Sequence, residues 1–114
     1  MEIRTCYAEK HKDVRIVEVE GRIAADTTTQ LEEALTAVLE EGSIKIVVDM
    51  GAVGYISSAG LRVFLSTLKS VKTKSGVLVL ANLHSNVAKV FKLAGFTKIF
   101  TIVDDVASAV ESMS

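Results

Sequence analysis

The chain has 114 residues, 49% of them apolar, with no proline, no tryptophan and one cysteine. A chain of this size can bury one core without disulfides or metals and leaves no material for a second, so residues 1–114 read as a single domain. Thirteen basic against 14 acidic side chains give a formal charge of −1, and no stretch concentrates Lys or Arg into a stripe, which disfavours direct binding to nucleic acid.

The opening "MEIRTCYAEKHKD" lacks the apolar core of a signal peptide, and nowhere do 18 apolar residues run together; the expectation is a cytoplasmic protein without membrane insertion. Its first half reads as a strand. Cys6, with no second cysteine to join it in a disulfide or thiolate cluster, is expected as a small half-buried strand residue in a reducing compartment. His11 falls in a polar turn. "VRIVEVEG" sets Val14, Ile16, Val17 and Val19 against charged neighbours with one slip in phase, predicting a strand, partly wet on one face, that ends at Gly21.

Next comes a helix carrying Leu31, Ala34, Leu35 and Val38 inward, with Glu32, Glu33, Glu40 and Glu41 on its other face and Gly42 as its stop. Thr27 and Gln30 have capping-box spacing, and Asp26 is the rival cap. "IKIVVDM" and "VLVLAN" are almost continuously apolar, as suits strands covered on both faces. Between them, after a turn "GAVGYI", a second helix beginning near Leu61 turns Leu61, Phe64, Leu65, Leu68 and Val71 inward. A third presents Val87, Val90, Phe91 and Ala94 and ends at Gly95, with Phe96 placed for the apolar contact that accompanies a glycine cap. "IFTIV", Ile99 to Val103, is a weaker strand at or near an edge. Asp104 or Asp105 starts a short fourth helix bearing Val106, Ala109 and Val110. The order β-β-α-β-α-β-α-β-α implies an α/β fold: a mixed sheet of four or five strands with four helices packed mostly on one face.

"GYISSAGLR", residues 54 to 62, places two serines at a strand-to-helix corner. Ser57 or Ser58 can cap the helix, and one hydroxyl suffices for that. The other is left near the positive end of the helix dipole, where unpaired N–H groups could meet an added phosphate. A hydrolase nucleophile elbow does not fit, because Tyr55 or Ile56 stands where that turn needs a small residue. Neither His11 nor His84 is placed as a base. Asp49 closes a buried strand and reads either as a site acid or as a turn cap. Metal-ligand spacing is absent, and the glycines of "GAVGYISSAG" miss the phosphate-loop pattern.

"VVDMGAVGYISSAGLRVFLS" resembles the central signature of the STAS domain, shared by bacterial anti-sigma factor antagonists and the cytoplasmic tails of sulfate transporters. "VEVEGRI", "TTTQLEEAL" and "VAKVFKLAGFTKIFTIVDDVASAV" resemble the family's second strand and turn, its first helix and its closing helix-strand-helix. The match spans essentially the whole chain, and its shortness looks like a free-standing antagonist. The resemblance implies a non-enzymatic partner switch with no cofactor of its own. The unmodified protein binds a serine-kinase anti-sigma factor, to which ATP and Mg belong; phosphorylation dissociates the pair, and a PP2C-type phosphatase resets it. The family's modified position falls on Ser58, with Ser57 the alternative. Two departures stand out: Ser57 replaces the Asp that often precedes the modified serine, and Ala24 occupies a position often acidic, with Asp26 two residues on. The expected partner surface comprises Arg22, Ala24, Asp26, Ser57, Ser58, Arg62 and Ser66. A scaffold or sensor role without phosphorylation, in a stressosome-like or lipid-transport assembly, is the alternative, and oligomeric state is left open.

Overall fold

The computed structural model describes residues 1–113; Ser114, the last residue of the domain read from the sequence, lies outside the described residues. Strands β1 (Glu2–Tyr7), β2 (Val14–Ile23), β3 (Lys45–Ile56), β4 (Val77–Ala81) and β5 (Thr101–Val103) form one sheet in the order β1-β2-β3-β4-β5. Only the β1–β2 pair is antiparallel; β2 to β5 run parallel. Each parallel crossover carries a helix: α1 (Thr28–Glu40), α2 (Ser58–Thr73) and α3 (Ser85–Leu93), while α4 (Val106–Ser112) follows β5. With the strands parallel, all four helices start at the same edge of the sheet.

Three helices cover one face and one covers the other, in agreement with the sequence. On the larger side Leu31, Leu35 and Val38 of α1, Leu61, Phe64 and Val71 of α2, and Val87 and Phe91 of α3 close over Val17, Val48, Met50 and Leu80. Phe91 is its aromatic hinge, with ring centroids 6.1 Å from Phe64 and 5.7 Å from Phe100. Phe96 joins them across the left-handed Gly95, whose φ of 78° a side chain would oppose. On the smaller side Ala109 and Met113 pack on Val14, Val47, Val79 and Ala81.

Several sequence expectations need correction. β2 does not stop at Gly21 but reaches Ile23, pairing Ile23 with Ile56 across two register shifts that absorb the slip in phase. The expected turn "GAVGYI" is instead the second half of β3, because β2 continues alongside it as a partner. α2 accordingly begins at Ser58, and its inward face includes Val63 and Thr67, whereas Leu65 is half-buried. Ala34 and Val90 are half-buried and Ala94 is exposed. No capping box forms: Thr27 turns its hydroxyl back to accept from the Ala24 N–H and donate to the Arg22 carbonyl, Gln30 reaches the Met1 carbonyl, and Asp26 caps nothing. Cys6 is exposed rather than half-buried, because β1 is an edge strand that presents it on the face α4 leaves open. The fourth-helix cap is Asp105, not Asp104.

One buried charge braces this edge. Arg15, 7% exposed, donates to Glu41 at 2.7 Å, to Thr5 at 3.0 Å and to the Tyr7 hydroxyl at 3.3 Å. Burial works to lower its pKa, but the hydrogen bond to Glu41 and the charges of Glu41 and Tyr7 outweigh it and hold the guanidinium above its ordinary value. The pair ties β2 to the C-terminal end of α1, and the bonds from Arg15 to Thr5 and Tyr7 bring β1 into the same network.

Candidate functional site

The site is built where β2 and β3 run out together. The Ser57 N–H donates to the Ile23 carbonyl at 2.8 Å, so the Arg22–Thr27 turn and the serine corner share a hydrogen bond. Ser57 adopts an extended backbone and its hydroxyl accepts the Gly60 N–H at 3.3 Å, which makes Ser57 the N-cap of α2. Ser58 is the first helical residue. It is exposed, and its hydroxyl bonds to no described residue. The two hydroxyls thus divide the work that the sequence left open: one is structural and the other is free.

Gly60 explains why the corner sits so low on the sheet. A Cβ here would lie 2.5 Å from Ile23 Cγ2 and 2.8 Å from Ile56 Cγ1, so only glycine lets the first turn of α2 rest on the two isoleucines. No acidic residue stands in that first turn, leaving the positive end of the dipole without a neutralising side chain.

Arg22, Ala24 and Ser57 are brought together through the shared bond, with Ala24 half-buried in the turn. Arg62 and Ser66 are exposed and follow Ser58 at four-residue spacing, so the three share one face of α2 and span about 12 Å along it. Asp26 is exposed at the far side of the turn and takes no part in the hydrogen bonding of the corner.

Four neighbours were not assigned to the site from sequence, although Tyr55 and His84 were weighed against an enzyme. Tyr55 is 45% exposed beside the serines, and the Arg22 guanidinium lies 4.9 Å from its ring centroid. Beyond Ala81, where β4 ends, the free flank of β3 is held by side chains: the His84 ring Nε2–H donates to the Gly51 carbonyl at 2.7 Å and Asn86 donates to the Gly54 carbonyl at 2.6 Å. Asn82 adopts a left-handed φ of 67° and lies 3.4 Å from Asp49, whose carboxylate also accepts the Gly51 N–H at 2.9 Å. Asp49 is therefore a backbone brace, and His84 is engaged by a carbonyl rather than by either serine. The alternation Asn82, His84, Asn86 just past a buried strand was the one signal available for these contacts.

A parallel-stranded sheet with an antiparallel edge and four helix starts on one rim is the fold of the STAS domain class. A sequence profile of the STAS domain matches residues 6–109, and the chain belongs to that family. Within it, the chain is 38% identical over 86 residues to the candidate anti-sigma factor antagonist BtrV of Bordetella bronchiseptica, covering 75% of this chain and 74% of that protein. A crystal structure of a candidate anti-sigma factor antagonist from Thermotoga maritima superposes with a TM-score of 0.90 at 22% identity, covering 97% of this chain and 93% of that one. The Bacillus cell-fate determinant SpoIIAA in its phosphorylated form shares the fold with a TM-score of 0.75 at 13% identity, covering 99% and 100%. Among the described residues no helix is long and apolar enough to cross a membrane.

Proposed function

We propose that this chain is a free-standing, cytoplasmic anti-sigma factor antagonist that works by partner switching. Unmodified, it binds a serine-kinase anti-sigma factor; when that kinase transfers the γ-phosphoryl group of its own Mg-bound ATP to the Ser58 hydroxyl oxygen, with ADP and the hydroxyl proton leaving, the complex separates and sigma-factor-dependent transcription falls. A PP2C-type phosphatase restores the first state. The observation that carries the reading is the division between Ser57, engaged as the cap, and Ser58, exposed at the start of α2. The names of its relatives, and a phosphorylated structure among its neighbours in fold, point the same way.

The physics of that position suits a switch. A phosphoserine adds a charge of about −1.5 to −2, and at a helix start free of acidic side chains this charge is favourable within the molecule. Against a packed partner the same dianion must lose water or meet like charge, which costs about 4 kcal/mol, or roughly a thousandfold in affinity. The partner surface is Ser58, Arg62 and Ser66 along α2, with Ser57 and the Arg22, Ala24 and Asp26 turn beside it. Mixing the protein with candidate kinase anti-sigma factors and ATP–Mg, then reading complex formation and mass gain by peptide mapping, tests this. The expected result is a complex that dissociates as phosphate appears on Ser58. Phosphate on Ser57 alone reverses the assignment, and stable binding without mass gain favours a scaffold.

A further inference from the structure

We propose that copies of this chain associate head to tail, the α3 corner of one seating on the outer face of α1 of the next. The net charge of −1 conceals a segregation. Between residues 51 and 103 every charged side chain is Lys or Arg, whereas residues 1–50 hold most of the carboxylates. A search for basic runs misses this, because the lysines are dispersed along the chain. The strands lie across the sheet in chain order, so the asymmetry becomes spatial, with α1 towards the β1 side and α3 towards the β5 side.

On the α3 side Leu93 stands 80% exposed, with the exposed Lys89 one turn before it on the same face and the exposed Lys92 next to it in the chain, one turn from Lys89. Past Gly95 the chain adds Lys98 and the 44% exposed Ile99. On the α1 side Glu32, Glu33 and Glu40 rim a shallow hollow of about 360 Å³, with only Thr36 and Ala37 between them. Glu40 sits in the last turn, where a carboxylate opposes the helix dipole and no basic residue offsets it. None of these lysines or glutamates enters an ion pair with a described residue. An apolar knob ringed by cations and a small-residue hollow ringed by anions therefore occupy opposite flanks of one molecule. Because the two patches differ, the contact is heterologous and repeats rather than closing on a two-fold axis. An anionic membrane would engage the α3 corner alone and leave the α1 hollow without a role.

The contact is small, so the expected dissociation constant is on the order of 0.1 mM. Sedimentation of the full chain should show average mass rising with concentration at about 0.05 M salt, and association weakened at least about tenfold at about 0.5 M. Leu93→Ser should abolish it. The variants Lys89→Glu/Lys92→Glu and Glu32→Lys/Glu33→Lys should each be monomeric alone, with unchanged thermal melts, and should associate when mixed, because each supplies the charge the other lacks. A chain that stays monomeric at low salt overturns the proposal. So does association that survives these changes, or a mixture that fails to recover. Binding to phosphatidylserine vesicles that is lost in Lys89→Glu/Lys92→Glu while the native chain remains monomeric would reassign the corner to a lipid surface.

Discussion

At the β3–α2 corner the Ser57 hydroxyl accepts the N–H of Gly60 at 3.3 Å, whereas at the β5–α4 corner the Asp105 carboxylate accepts that of Ser108 at 2.7 Å. Both residues cap a helix that leaves the same rim of the sheet. The short bond at α4 holds Asp105 below the usual carboxylate range, so that helix start carries its own negative charge near neutral pH. The start of α2, with a neutral cap and no acidic side chain in its first turn, does not. A helix start that already holds a carboxylate has little to gain from another anion; one capped by a hydroxyl leaves room for the charge that the proposed switch would add.

Substitutions at the two corners can break or sharpen this contrast. The largest effect belongs to Ser58→Asp, which should weaken the kinase complex by up to about a thousandfold, near 4 kcal/mol by titration calorimetry, while the melting temperature stays within a few degrees of the native value. Ser58→Ala should bind and resist dissociation by ATP. Gly60→Ala comes next: the added methyl gains about 1 kcal/mol in helix propensity but meets Ile23 and Ile56, and chemical denaturation should show a net loss of about 1–2 kcal/mol. If it stabilises the protein instead, the low seat of α2 does not depend on glycine.

Ser57→Ala should cost about 1 kcal/mol through the lost cap, whereas Ser57→Asp recreates the α4 arrangement at α2 and should stabilise by about 0.3–1 kcal/mol at neutral pH and low salt. Equal melts for native and Ser57→Asp would deny that the α2 start has charge left to neutralise. The smallest effect is at Asp105. Its folded carboxyl is more acidic than the unfolded one, so its contribution is complete above the ordinary carboxylate pKa and is lost as pH falls through the depressed folded value. Asp105→Asn should therefore shallow the acid limb of the stability curve, and an unchanged limb would show that other carboxylates dominate it.

The helices were legible because each turns a stripe of large apolar residues inward, as Leu31, Leu35 and Val38 do, and the buried strands because their apolar runs lack alternation. The serine corner was legible as a place but not as a division of labour, since either hydroxyl satisfied the same local pattern. What chose Ser57 was the extra length of β2 and β3, which fixes where α2 begins. That length was hidden by "GAVGYI", whose glycines suggest a turn when read without the strand alongside. The braces from His84 and Asn86 cross 33 and 32 residues of chain, beyond any local pattern. Cys6 was misplaced because its exposure follows from β1 being an edge, which the sequence of β1 does not state.

The close seat of Gly60 on Ile23 and Ile56 has a kinetic meaning. A hydroxyl mounted on such a support is held in place before any encounter, so the surface that meets it needs no search among loop conformers. Recognition at this corner should proceed as rigid docking, with a single-exponential association whose rate scales linearly with partner concentration.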